Sequence, residues 1–151
     1  MSADQIVVLL VRCGLVLLFL PFSALDKIFN FSGAVGQASE TFSARPLAIA
    51  AIVAGLGIEI VMSLGIILGI ADRLCAFVMA GYCALTALLW KRFWATGDFW
   101  TGPASRGRGL FWDFLKNLSL GAGFLLITVG PTGSGLNHLL HDPFGSTYPY
   151  G

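Results

Sequence analysis

Charge is the scarcest commodity in this chain. Asp, Glu, Lys and Arg make up 11% of its 151 residues, against about 25% in soluble domains. The formal net charge is +1, and no basic run with interleaved aromatics exists, which removes nucleic acid from the partners to consider. Histidine is nearly absent: only His138 and His141 occur, both beyond the last long apolar run. With no imidazole inside any apolar run, a bis-histidine haem b held within this chain is excluded. Three cysteines, Cys13, Cys75 and Cys83, lie in apolar stretches and form no C-x-x-C pair, so they read as small hydrophobes rather than redox or metal groups. The glycine-rich stretch from Gly130 to Gly135 lacks the G-K-[ST] ending of a phosphate loop and follows a helix instead of a strand, which dismisses nucleotide binding. No internal repeat is evident.

What fills the chain instead is apolar: 56% of residues are hydrophobic and the mean hydropathy is +0.82. The central run, residues 47–70, holds roughly 24 residues whose one charge is Glu59, and about 20 apolar residues in a helix cross a bilayer core. Further runs cover residues 6–25, 74–94 and 110–129. The pattern predicts an all-α fold, a bundle of four transmembrane helices in a single membrane domain, with antiparallel neighbours and both termini on one side. The first run carries Arg12 and Pro21. It lacks the basic flank and the small-residue site of a cleaved signal, so it is expected to be a retained helix. The connection 29–46 is polar and Gly/Ser-rich, with room for a short interfacial helix. The turn Ala71-Asp72-Arg73 makes the second and third helices adjacent, and Gly130-Pro131 ends the fourth. Gly65-x-x-x-Gly69 and Ala51-x-x-x-Gly55 read as close-packing sites. Residues 130–151 form an extramembrane tail, with a helical turn near Asn137–His141, that either docks on a partner or is an unstructured end.

Topology follows from Lys and Arg. Lys27, Arg45, Lys91, Arg92, Arg106, Arg108 and Lys116 fall on one side, Arg73 alone on the other, apart from the intramembrane Arg12. The positive-inside rule places the first and third loops in the cytoplasm and both termini outside, periplasmic in a bacterial inner membrane. Trp90, Trp94, Trp100 and Trp112 cluster near the basic side, as an interfacial belt would.

Two ionisable groups lie deep in the apolar runs. Arg12 and Glu59 differ in expected depth by only about 6 Å along their helices, so they are expected to pair, directly or through water. The pair serves as a clamp on helix register, or as a proton or quinone-headgroup site; a snorkelling Arg12 beside a protonated Glu59 is the remaining arrangement. Asp113, Lys116 and Asn117 share a face in the first turns of the fourth helix and read as an interfacial cap and anchor. Alternatively they form a polar pocket that Asp26 and Lys27 close. His138 and His141 stand three apart before Asp142, but further metal ligands are not specified, so no metal is assigned and surface or partner contacts are expected.

These residues together resemble the DoxX family of small four-helix bacterial membrane proteins. The likeness spans most of residues 11–129. It rests on Arg12; on Asp26-Lys27-Ile28-Phe29; on Gly57-Ile58-Glu59 with Leu68-Gly69-Ile70 and Arg73; and on Phe114-Leu115-Lys116-Asn117-Leu118. Phe22 to Ala24 stand where a glycine usually precedes the lysine. The resemblance implies an accessory integral subunit of a quinone-linked redox or respiratory complex, not catalytic on its own. Its partners would be membrane lipid and other subunits, and it would hold no intrinsic cofactor beyond a quinone. The alternatives are a quinone-binding oxidoreductase subunit of the thiosulfate:quinone type, with Glu59 as proton acceptor and Arg12 or Lys116 at a quinone carbonyl, and a small metabolite or proton transporter.

Overall fold

The computed structural model describes residues 2–130 and 134–151. Pro131, and with it half of the glycine-rich stretch noted above, lies outside the described residues. Ser2 starts the first helix with a reciprocal cap: its hydroxyl accepts from the Gln5 N–H at 3.2 Å, and its own N–H donates to the Gln5 side chain at 2.7 Å. That helix, α1 (Ala3–Val16), gives way to a wide turn over Leu18–Ser23. Leu20 is extended there, as a residue before proline tends to be, and Pro21 has no N–H to continue the ladder. The chain resumes in α2 (Ala24–Phe29), so the first crossing is Ala3–Phe29, 27 residues in all. It exceeds the expected 6–25 at both ends and takes in Lys27.

The connection does fold: α3 (Phe31–Ser39) packs Val35 and Ala38 on Ala48 and Ile52 of α4 (Arg45–Leu68). Pro46 stands in the first turn of α4, where a missing N–H costs nothing. Gly69 ends the helix in the left-handed region at φ +72°. Next come α5 (Asp72–Trp90), a short turn Phe93–Ala95, and α6 (Arg106–Val129). Four helices among the described residues are long and apolar enough to cross a membrane. α5 is the central one, packed extensively on both α4 and α6. Val16, Phe19, Ile66, Met79, Cys83 and Phe124 form the core. Leu10, Val61, Leu85 and Leu126 face outward, each more than half exposed, which suits a surrounding of lipid tails rather than water.

α6 begins one turn earlier than the expected residue 110. Its start is held by Asp98, whose two carboxylate oxygens accept from the N–H groups of Arg106 and Gly107, both at 2.9 Å. Gly107 is required there, because a Cβ would stand 2.5 Å from Thr96 Oγ1 and 2.7 Å from Asp98 Oδ1. Phe93 pins the same loop, its ring 5.0–5.8 Å from those of Trp94, Phe99, Phe111 and Phe114. The Thr96 side chain, ahead of the Gly107 and Arg106 N–H groups, holds the Asp98 carboxyl below the usual carboxylate range. A carboxyl depressed by folding stabilises above its unfolded pKa, and that stabilisation is lost as pH falls through the lower folded value. The cap should therefore weaken only below about pH 4. Hydrogen exchange checks this: Asp98→Ala should speed exchange at Arg106 and Gly107 at neutral pH, and unchanged protection there would show that Asp98 does not cap the helix.

The described part of the tail folds back on the bundle. After α7 (Gly135–His141), the Ser146 hydroxyl donates to the Gly69 carbonyl at 2.6 Å and the Tyr150 hydroxyl to the Ile67 carbonyl at 2.5 Å. Gln5 Nε2 donates to the Tyr150 carbonyl at 2.9 Å. The last carbonyls of a helix have no partner within it, and these hydroxyls supply them for α4. This segment is thus held against the bundle at Gly69, Ile67 and Gln5 rather than unstructured.

Candidate functional site

Arg12 and Glu59 do not pair; each is neutralised by a different residue. Arg12 Nη1 lies 2.7 Å from Asp72 Oδ2 and donates to the Ile66 carbonyl at 2.7 Å, with both side chains buried. Its Nη2 donates to Thr147 Oγ1 at 2.8 Å; the Thr147 hydroxyl in turn donates to Asp72, and the Thr147 N–H reaches Asp72 Oδ1 at 2.8 Å. Glu59 Oε1 instead accepts from Lys27 Nζ at 2.7 Å, Tyr82 Oη at 2.8 Å and Ser23 Oγ at 3.0 Å. Lys27 also donates to Ser23 Oγ at 2.6 Å. The reason lies in the helix ends. Sequence depth alone favoured Arg12 with Glu59, but the helices extend past the residues assigned to their turns. Asp72 is the first, fully buried residue of α5, and Lys27 lies inside the first crossing, one turn beyond Ser23.

The Glu59 cluster forms the inner wall of a cavity of about 280 Å³ that extends toward the basic end of the bundle. Phe19 and Ile52 supply apolar walls; Thr86, Trp90, Lys91 and Asn117 supply the polar ones. Trp90 is also held by Phe42, ring to ring at 6.5 Å. Asn117 Nδ2 donates to Thr86 Oγ1 at 3.3 Å. Three buried side-chain atoms have no hydrogen-bond partner among the described residues: Glu59 Oε2, Trp90 Nε1 and Ser63 Oγ. Two of these, a carboxylate oxygen and an indole N–H, belong to residues that line this one cavity. On the other side of Glu59 the bundle is filled by Ile66, Met79 and Phe124, each fully buried.

The expected polar pocket is thus half assembled. Lys27 and Asn117 line the cavity; Asp26 is exposed on α2, and Lys116 is exposed on α6. Asp113 lies two turns into α6 rather than at its start, so it is not the cap. It lies 3.4 Å from Lys91 and 3.4 Å from Lys116 and ties Lys91 to α6 at the cavity mouth. His138 and His141 are exposed on α7, and no group of three possible metal ligands is found among the described residues. Sequence reasoning missed Ser23, Asp72, Tyr82, Trp90 and Thr147. Only Asp72 left a signal, as a carboxylate flanking an apolar run that holds an uncompensated arginine.

Four lipid-facing helices around buried, paired charges define a multi-pass integral membrane protein. The DoxX family model matches residues 7–92, more than half of the chain. The chain belongs to the DoxX family. The matched stretch takes in Arg12, Lys27, Glu59, Asp72 and Tyr82 and stops before Phe114 to Leu118. No curated protein and no solved structure matches the chain significantly.

Proposed function

We propose that the protein is an accessory subunit of a quinone-linked redox assembly in the bacterial plasma membrane, and that its own contribution is the cavity beside Glu59, which receives a quinone-type head group. In this reading the basic end faces the cytoplasm, and electrons are exchanged with a partner subunit. The observation that carries it is the cavity itself, where the buried Lys27–Glu59 ion pair, Tyr82 and Trp90 stand beside the apolar walls of Phe19 and Ile52. Sites for small molecules combine apolar walls with a few placed polar groups; here Phe19 and Ile52 supply apolar walls, and Lys27, Thr86, Trp90 and Asn117 the polar groups. The volume suits a head group, leaving a long apolar tail to lie among lipids.

The test is direct. Purified protein in detergent should bind a short-chain ubiquinone analogue, oxidised or reduced, saturably above the empty-micelle background. Phe19→Trp, which fills the apolar wall, should weaken that binding at least tenfold while leaving the elution volume unchanged. Failure of both redox forms to bind would end the reading.

A further inference from the structure

We infer that a second cavity, at the end of the bundle away from the basic loops, binds a long-chain carboxylate, a fatty acid entering sideways from the bilayer, with Arg12 as its anchor. This cavity, about 700 Å³, is the gap between α1 and α6. Val7, Val11 and Leu15 recur every four residues on one face of α1; Gly123, Ile127 and Gly130 recur every three or four on α6. Its floor is where the two helices meet: a Cβ on Gly123 would stand 2.7 Å from Leu15 Cδ2. Thr147, Tyr148 and Pro149 of the tail roof the other end, with Pro149 against Gly69, where α4 stops. The lips between floor and roof, Val7, Val11 and Leu126, are each more than half exposed. A helix is about 10–12 Å across and would have to pass both floor and roof. An alkyl chain can enter from the side.

The head group is set by the donors left on Arg12, which is 5% exposed and part of the cavity wall. A guanidinium has five N–H donors in a planar fork. Nη1 spends two, on Asp72 Oδ2 and the Ile66 carbonyl; Nη2 spends one, on Thr147 Oγ1. Thr147 and Asp72 are themselves hydrogen-bonded, so they lie together along the Nη1–Nη2 edge. What remains is the Nε–H and the second Nη2 proton, side by side on the next edge, the pair that grips a carboxylate through two parallel bonds. Nε is not walled in: the sealed side-chain atoms without a partner among the described residues are Glu59 Oε2, Ser63 Oγ and Trp90 Nε1. No carboxylate lines the cavity, and Asp72 is fully buried. A second guanidinium balances the added charge. Arg73 donates to the Thr128 and Val129 carbonyls and has no carboxylate partner among the described residues. Its Nη1 would stand 3.0 Å from a Cβ on Gly130, in the cavity wall. Two arginines against one aspartate leave room for one more negative charge. The roof, tied to Arg12 through Thr147, favours a compact carboxylate over a phospholipid head group.

The experiment is scintillation-proximity binding of tritiated palmitate and methyl palmitate to the full chain in detergent, at about pH 8.5, far above the usual carboxyl range. Palmitate should bind saturably and at least tenfold more tightly than its ester, since a hydrogen bond to a charged group corresponds to roughly 10–100-fold. Val11→Trp, which fills the gap from its exposed lip, should weaken palmitate binding at least tenfold with the elution volume unchanged. Arg12→Lys keeps a cation for Asp72 but has no second edge, so acid and ester should come to bind alike, a change that mere loosening of the fold would not produce. Equal affinities for acid and ester in the unaltered chain, or no saturable binding, would overturn the inference. So would undiminished binding by Val11→Trp, or a folded Arg12→Lys that keeps the preference. Displacement of palmitate by phosphatidylglycerol at lower concentrations than by unlabelled palmitate would also overturn it, by making the occupant a phospholipid. Should Arg12→Lys fail to fold, the comparison of acid with ester and Val11→Trp still decide.

Discussion

Asp72→Asn should destabilise the protein by about 3–5 kcal/mol, the usual consequence of removing one member of a buried ion pair. The mechanism is the stranded guanidinium. Arg12 is 5% exposed, and after the change its charge would meet only neutral acceptors: the carboxamide oxygen, the Ile66 carbonyl and the Thr147 hydroxyl. Denaturation in detergent would register the loss as a lower midpoint. The instructive comparison is Arg12→Leu with Asp72→Leu. Replacing a buried pair by apolar groups of similar volume is often neutral, so the double variant should recover most of the stability. It should also bind the quinone analogue as the unaltered protein does, because the pair stands outside the cavity beside Glu59. Loss of ligand binding in a stable double variant would mean that the two sites are coupled.

Lys27→Met should be comparably costly for stability, since it leaves Glu59 buried with only the Tyr82 and Ser23 hydroxyls as donors. Here the double variant separates structure from function in the opposite way. Lys27→Met with Glu59→Met should restore most of the stability yet weaken ligand binding at least tenfold, because the charged wall of the cavity is gone. A double variant that binds the quinone analogue as tightly as the unaltered protein would show that the pair does not serve the cavity. The two ion pairs are thus expected to answer the same manipulation differently: one braces the helices, the other serves the cavity beside Glu59.

Much of this architecture can be read from residue patterns. Bilayer thickness imposes a run length, and the four runs are long enough to be seen through any uncertainty at their ends. Arg12 and Glu59 were legible as internal groups for the same reason. Their partners were not. Lys27 and Asp72 lie where a helix stops, and terminal residues are where helix assignment is least secure; a shift of two to four residues moved both from loop to interior. Asp98 escaped notice because a capping carboxylate eight residues from the N–H it serves leaves no fixed spacing to look for. The cavity depends on the break at Pro21, which turns Ser23 and Lys27 toward α4, and the direction of such a break is set by packing rather than by local residue preference. Of the five residues considered for a polar pocket, Lys27 and Asn117 reach it; spacing on one helix face could not distinguish Asn117 from Lys116, one residue away and exposed to solvent.

The hydroxyl lodged between Arg12 and Asp72 belongs to a residue synthesised long after either. Thr147 follows Asp72 by 75 positions, which at typical rates of translation is roughly 4–15 s of further elongation. Over that interval the third and fourth crossings are made, and a salt bridge formed meanwhile between Arg12 and Asp72 lacks its cap. A contact opened by α1 is therefore sealed by a residue made after all four crossings.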